Sequence, residues 1–146
     1  MSYTIVPFEP VLIDTNILLY AVDPSDSHKH EVAKDFITQR LANHFEMILT
    51  DQNISEFLSY AVKKGHVLHC QEFIMNLLDT GCVRCISPSI SDVMAASLNS
   101  IQFRMSFWDS RIAETMFENN VFTICTEDKA FLNDKRLNVV NPFIQG

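Results

Sequence analysis

The chain has 146 residues and a mass of 16.7 kDa, and 47% of its residues are apolar, which predicts one domain with a sizeable core. Its formal charge of −7 argues at first against a nucleic-acid partner, although the distribution of charge decides binding more than the total. With only 3 Gly and 5 Pro no flexible linker is expected, so residues 1–146 are predicted to form a single domain.

The sequence contains no segment that indicates export or membrane insertion. Its start, MSYTIVPFEP, lacks the basic residues and the long apolar stretch of a secretory signal, and no apolar run is long enough to span a bilayer. A soluble, cytoplasmic protein without a membrane partner is therefore expected. The cysteines lie in segments with helix or strand patterns, which favours core thiols over disulfides, and their one CxxC pair lacks clear further zinc ligands. They are Cys70, Cys82, Cys85 and Cys125.

Short apolar segments alternate with helical patterns along the chain, which predicts an α/β fold with a mostly parallel sheet. The candidate strands are 11–13, 47–49, 83–86, 122–125 and 138–140. The clearest candidate helix is capped by Thr50 or Asp51 and has one apolar stripe, which consists of Ile54, Phe57, Leu58, Ala61 and Val62. The other candidate helices are 28–41, 73–78 before Gly81, 90–101 and 107–119.

Asp14 follows the first candidate strand directly. An aspartate there is equally well explained as the N-cap of the next helix or as a ligand at the edge of a parallel sheet, where the carboxyl ends of strands meet. Thr15 and Asn16 add a hydroxyl and an amide that could orient such a ligand. Asp128 follows a later strand in the same way, and it or Glu127 could instead cap a short helix that starts near Lys129.

Glu56 and Asp109 lie on predicted helices rather than at strand ends. Glu56 points away from the apolar stripe of its helix, as expected both for a solvated acid and for the wall of a cleft. Asp109 and Ser106 match a capping box, which is compatible with a second role in a site. The neighbouring Trp108 is expected in the core rather than as a platform for stacking bases.

If the fold brings these four acids together, their charge requires a counter-ion. Two carboxylates about 4 Å apart repel by roughly 4 kcal/mol at an effective dielectric of 20. Mg²⁺ or Mn²⁺ would cancel that charge, because both take oxygen ligands and leave room for water and for phosphate oxygens. Hydrolysis of a phosphodiester is therefore the predicted chemistry. Cations beside the acids could hold a phosphate backbone, or could simply be solvated: they are Lys63, Lys64, Arg104, Arg111 and Lys129.

Five segments in order resemble the PIN-domain ribonucleases, and most closely the VapC-type toxins of prokaryotic toxin–antitoxin pairs. They are IDTN at 13–16, TDQNISEF at 50–57, SFWDS at 106–110, ICTED at 124–128 and VVNPF at 139–143. The family's acidic residues correspond to Asp14, Glu56, Asp109 and Asp128, and its supporting polar positions to Thr15, Asn16, Ser110 and Thr126.

The resemblance implies a three-layer α/β/α sandwich with about five short strands and a Mg²⁺- or Mn²⁺-dependent endoribonuclease. It also implies RNA as substrate, a homodimer, and a cognate antitoxin that covers the site. In one departure from the family pattern, KAFLNDKR follows the TED motif in place of a short Gly-containing loop, so either Asp128 or Asp134 completes the site.

Two other interpretations remain open. Strand-end aspartates also build phosphoacceptor sites, although no DxDxT-type pair follows the first strand. The chain could also be a non-catalytic binding module whose acids only cap helices, in which case it would have no specific affinity for Mn²⁺.

Overall fold

The computed structural model describes residues 8–144. Five parallel strands form one sheet in the order β3-β2-β1-β4-β5. The strands are β1 (Val11–Ile13), β2 (Met47–Thr50), β3 (Val83–Ile86), β4 (Thr123–Cys125) and β5 (Asn138–Val140). The predicted strands are thus confirmed, except that β2 is one residue longer and β4 begins one residue later.

Within residues 8–144, the strands are connected by six α-helices and one short 3₁₀ helix. They are α1 (Thr15–Val22), α2 (Ser27–Ala42), α3 (Asp51–Lys64), α4 (Val67–Asp79), α5 (Ile90–Phe103), α6 (Phe107–Glu118) and the 3₁₀ helix Lys129–Asn133. Thr50 caps α3 in a reciprocal capping box with Asn53. Gly65 ends the same helix at φ +75°, a conformation that glycine adopts without a steric cost.

The core consists of two apolar clusters, one on each face of the sheet, because successive side chains of a strand point to opposite faces. Val11 and Ile13 pack into the cluster formed with α1 to α4, whereas Leu12 packs into the cluster that contains Ile112 and Met116 of α6. All three residues of β1 are at most 1% exposed, as expected of a central parallel strand. The predicted three-layer sandwich is confirmed.

Some predictions about individual side chains are wrong. Val62, placed on the buried stripe of α3, is 68% exposed, because the buried contacts of this helix end with Ala61. Of the expected core thiols, Cys70 and Cys125 are buried, but Cys82 is only partly buried and Cys85 is exposed; all four are free. Within the described residues, no helix is both long and apolar enough to cross a membrane.

The strand order fixes where a site can form. The chain runs from β1 to β2 and β3 on one side of the sheet and returns to β4 and β5 on the other side. In such sheets a crevice opens between the two central strands at their carboxyl ends. Asp14 and Thr126 follow the neighbouring strands β1 and β4 at this point.

Candidate active site

Asp14 is the most firmly held acid at this edge. It is both the last residue before α1 and its N-cap, and it is 7% exposed. Its Oδ1 accepts hydrogen bonds from the Thr15 backbone N–H at 2.8 Å and from Asn53 Nδ2 at 3.2 Å. Its Oδ2 accepts from Thr126 Oγ1 at 2.7 Å and from Asn16 Nδ2 at 3.3 Å. The predicted role of Asp14 as a helix cap is confirmed. Its carboxylate is also fixed at the sheet edge, and its role as a ligand stays a prediction.

Thr126 ties the end of β4 to the same position. Its hydroxyl donates to Asp14 and accepts from Asn16 Nδ2 at 3.1 Å and from the Asp128 backbone N–H at 3.0 Å. The side chain of Asp128 in turn accepts from the Ala130 N–H at 2.9 Å and caps the 3₁₀ helix. One threonine thus sets the position of the backbone that carries Asp128 relative to Asp14.

Glu56 reaches the site from α3. Its Oε2 accepts from Thr15 Oγ1 at 3.0 Å and its Oε1 accepts from Gln52 Nε2 at 2.9 Å. Glu56 is an exposed residue, as its position off the apolar stripe predicts, but two hydrogen bonds orient its carboxylate toward Thr15 and Gln52. Gln52 also donates to the backbone carbonyl of Trp108 at 3.2 Å, so it connects α3 to the first turn of α6.

Asp109 lies in that first turn and is partly buried. Its backbone N–H donates to Ser106 Oγ at 3.0 Å, which confirms Ser106 as the helix cap. Burial, assisted by the negative charges of Asp128, Asp14 and Glu56, raises the pKa of Asp109 to about 6. Ser110, the supporting position next to it, is 2% exposed.

Burial and the neighbouring acids also affect the pKa of Asp14. Burial raises the pKa of Asp14, its hydrogen bonds to Thr126 and Thr15 oppose that rise, and the charges of Glu56 and Asp128 add to it. Within residues 8–144, the largest influences on Asp14 and Asp109 include the other predicted acids but no lysine or arginine. The predicted acids therefore influence one another's charge. Within residues 8–144 none of the four forms an ion pair with a lysine or arginine.

This group of four acids fits a hard divalent cation by its chemistry, since all its donors are carboxylate oxygens. In the side-chain positions described for residues 8–144, however, no three His, Cys, Asp or Glu groups lie close enough together to hold one ion. Asp128 is instead turned toward the Ala130 N–H, and Glu56 toward Thr15 and Gln52. Coordination of an ion by three of these acids requires rotation of at least one carboxylate.

The two acids considered as alternatives to Asp128 have structural partners. Glu127 accepts from Tyr20 Oη at 2.6 Å and forms an ion pair with Lys29 at 2.7 Å. The side chain of Asp134, only 1% exposed, pairs with Arg136 at 2.8 Å. Both carboxylates are thus compensated by cations, in contrast to Asp128.

Three features of the site were missed or misjudged from the sequence. Asn53 and Gln52 position Asp14 and Glu56, and only Asn53 had a detectable signal, as the partner of Thr50 in a capping box. Trp108, expected in the core, is 60% exposed. Arg111, a candidate phosphate-binding cation, forms an ion pair with Asp51 at 3.0 Å.

A cleft of about 620 Å³ adjoins the carboxylates on the β4–β5 side. Its wall includes Thr126 and Asp128 at the site, and Val32, Phe36 and Val139 farther away. Of the four predicted acids only Asp128 lines this cleft, so a ligand in it would contact an apolar surface and the Asp128 edge of the acidic group.

No protein-family model and no curated protein sequence matches the chain. Several solved structures do. FitAcB from Neisseria gonorrhoeae is similar at 19% identity and a TM-score of 0.67, covering 92% of this chain and 99% of that one. VapC20 from Mycobacterium tuberculosis, a toxin that cleaves the sarcin-ricin loop, is similar at 14% identity and a TM-score of 0.68, covering 84% and 92%.

VapBC2 from Rickettsia felis, bound to a DNA fragment from its promoter, is similar at 19% identity and a TM-score of 0.65, covering 90% of this chain and 98% of that one. At these identities the likeness concerns the fold. The resemblance to VapC-type PIN domains, predicted from five short motifs, is confirmed at that level.

Proposed function

We propose that this chain is a divalent-metal-dependent endoribonuclease that acts as the toxin of a toxin–antitoxin pair. The observation that carries the proposal is the uncompensated acidic group around Asp14 and Asp109, at the crevice between β1 and β4. An acidic group without a cation costs stability, which is expected where binding a metal is the function. The activity of VapC20 toward the sarcin-ricin loop supports RNA as the substrate class.

Asp14, Asp109 and Asp128 would hold Mg²⁺ or Mn²⁺, with Glu56 binding directly or through water. When bound, the metal supplies a water of lowered pKa and stabilises negative charge on the phosphate. The protein's part is orientation. Asn53 and Thr126 fix the two oxygens of Asp14, and Thr15 holds Glu56. No side chain has to act as a covalent nucleophile.

The experiment compares cleavage of single-stranded RNA by the wild-type chain, Asp14→Asn and Asp109→Asn, each with Mg²⁺, with Mn²⁺ and with EDTA. Both variants should lose metal-dependent cleavage, by at least about 100-fold, while keeping a cooperative unfolding transition. Asp79→Asn is the matched control, because it removes the same charge from an exposed position at the end of α4. Full activity of either site variant would overturn the proposal.

The two rival interpretations give different results in two further measurements. Calorimetric titration with Mn²⁺ should show saturable binding that Asp14→Asn weakens, whereas a module with scattered surface acids would bind weakly and without saturation. Incubation with a phosphodonor should leave the intact mass unchanged, whereas a phosphoacceptor aspartate would add one phosphoryl group.

The proposed homodimer is supported by one face of α5. Ile90, Met94, Leu98 and Ile101 share one side of this helix and are 81%, 66%, 72% and 80% exposed. Asp92, the only charged residue in α5, is buried. Together the four side chains form an apolar patch of the few hundred Å² that marks an interaction surface, a substantial part of the roughly 800 Å² that each partner buries in a standard interface.

A second copy fits this face better than an unrelated partner because the order of side chains along the stripe, Ile, Met, Leu, Ile, is nearly the same in both directions. In an antiparallel pairing of two α5 helices, Ile90 meets Ile101 of the partner subunit and Met94 meets Leu98 of the partner subunit. Two chains of charge −7 repel each other, and this uncharged face lets them associate with little electrostatic cost.

Leu98→Glu tests the dimer, since it places a charge in the middle of the stripe. Light scattering should give twice the 16.7 kDa chain mass for the wild type and for the control Gln71→Glu on exposed α4, but the monomer mass for Leu98→Glu. A monomeric wild type at about 100 μM, or a dimeric Leu98→Glu, would contradict this arrangement.

The antitoxin would occupy the cleft beside Asp128, because a chain segment lying there covers apolar residues and reaches the acidic group at once. Bound cognate antitoxin should slow hydrogen exchange at residues 126–129 and 139–144 and should inhibit cleavage. Inhibition without protection of these segments would place the antitoxin elsewhere. RNA substrate and antitoxin together make the cytoplasm the proposed location.

A further inference from the structure

Trp108 is the single tryptophan of the chain, and it is an exposed residue directly before the acid Asp109. It is the second residue of α6, and it is 60% exposed. Tryptophan is normally highly buried, since its large apolar ring gains most from leaving water. An indole left in solvent next to an acidic site therefore suggests a ligand for its flat face.

The structure holds this residue in place. Its backbone carbonyl accepts a hydrogen bond at 3.2 Å from Gln52 Nε2, which also donates to Glu56. Its ring meets the ring of Phe107 edge to face, with centroids 5.2 Å apart and planes at 78°. Because an edge-to-face contact covers at most one face of the indole, the other face is open to a planar partner.

We propose that Trp108 stacks on an unpaired nucleobase of the RNA substrate, close to the phosphate that the carboxylates engage. This inference rests on the proposed ribonuclease function. The Cα atoms of Trp108 and Asp109 are about 3.8 Å apart and their side chains diverge by roughly 100° around the helix, so a base on Trp108 and a phosphate near Asp109 would belong to neighbouring nucleotides of one strand. Single-stranded RNA is commonly recognised by stacking on aromatic side chains.

Stacking also answers the electrostatic objection to an RNA ligand. The chain has a net charge of −7, and Arg111, the cation two residues after Asp109, is engaged by Asp51. Stacking on an indole requires no positive charge and accepts any base. Trp108 would thus supply affinity that cations provide in most RNA-binding proteins.

The test uses Asp14→Asn, which should not cleave, with an eight-nucleotide single-stranded RNA. Because Trp108 is the only tryptophan, quenching of indole fluorescence reports on this side chain alone. Saturable quenching is expected, with the same midpoint as the anisotropy of a dye-labelled copy of the RNA. Trp108→Leu should bind the RNA about 10- to 100-fold more weakly, and Trp108→Phe, which keeps an aromatic face, only a few-fold more weakly.

In the cleaving chain, Trp108→Leu should raise KM by a similar factor and change kcat less than about threefold, with an unfolding midpoint close to that of the wild type. Cleavage or RNA binding without quenching would overturn the role of Trp108 and leave the ribonuclease intact. If Trp108→Leu and Trp108→Phe lose RNA affinity equally, Trp108 contributes through packing of the protein and not through stacking on a base. If Trp108→Leu is monomeric but binds RNA with unchanged affinity, Trp108 belongs to a protein interface. Absence of both RNA binding and cleavage in the wild type would overturn both proposals.

Discussion

Replacement of Asp109 by Asn should stabilise the metal-free protein and destabilise the metal-bound one. The pKa of Asp109 is raised from 3.8 to about 6, first by burial and then by the charges of Asp128, Asp14 and Glu56. A rise of one pKa unit corresponds to about 1.4 kcal/mol, so the full shift corresponds to about 3 kcal/mol. Because Asp109 is only partly buried, solvent screening reduces this to about 1–2 kcal/mol.

The sign follows from proton linkage. The folded protein binds the Asp109 proton more tightly than the unfolded chain, so the favourable contribution is complete below pH 3.8 and is lost as the pH rises through about 6. Asparagine carries no charge at any pH in this window. The free energy of unfolding of Asp109→Asn minus that of the wild type should therefore increase by about 1–2 kcal/mol between pH 4 and pH 7 in EDTA.

Urea denaturation at pH 4, 5, 6 and 7 in EDTA measures this difference, and a second series at pH 7 contains Mn²⁺. Saturation of the wild type at about 100 times its Kd should add about 2.7 kcal/mol, and Asp109→Asn should gain much less. The order of stability of the two proteins should therefore reverse when Mn²⁺ replaces EDTA. Asp79→Asn is the control, since it changes the net charge equally at an exposed position.

Two results would refute this reasoning. If Asp109→Asn is less stable than the wild type at pH 7 in EDTA, the aspartate contributes a favourable interaction that the structure does not contain. If the stability difference does not change with pH, the carboxyl group titrates as an ordinary surface acid. The second result would also remove the main observation that supports the proposed metal site.

Three further predictions concern Arg136, the choice between Asp134 and Asp128, and Gln52. Arg136→Ala should lower the free energy of unfolding by about 3 kcal/mol, because it leaves the buried carboxylate of Asp134 without its cation. Asp128→Asn should lose Mn²⁺ affinity in calorimetric titration, whereas Asp134→Asn should keep it. If both variants lose affinity equally, both acids bind the metal. Gln52→Leu should weaken Mn²⁺ binding 10- to 100-fold, because Glu56 loses a positioning donor; unchanged affinity would show that Thr15 alone positions Glu56.

Most of the fold was predictable because its elements carry strong local signals. The strands are short, apolar and rich in β-branched residues, and each central one is followed by a polar residue at the sheet edge. The wrong predictions concern side chains whose burial depends on tertiary contacts and not on the local sequence pattern. Val62 continues the apolar stripe of α3 in sequence, but it is 68% exposed. Cys85 lies in β3, an edge strand, and is exposed for that reason.

The candidate site was less accessible to sequence reasoning. The four acids were singled out by their places at the ends of strands and on helices, but their joint role was implied by the resemblance to a family, since capping explains Asp14, Asp109 and Asp128 equally well when each is read alone. Their proximity depends on long-range packing of α3 and α6 against the β1–β4 crevice. Gln52 gave no signal, because nothing in a helical pattern shows that an amide reaches a carbonyl 56 positions later in the chain.

The choice of partners around Asp14 explains why this site gives up stability. Its carboxylate is held by four neutral donors, from Thr15, Asn16, Asn53 and Thr126. Neutral donors fix the two oxygens but leave the negative charge in place, whereas a lysine or arginine would both orient and neutralise it. The buried carboxylate of Asp134, by contrast, does have a cationic partner, Arg136. A carboxylate that is rigid and still charged is the state in which a divalent ion gains most from binding.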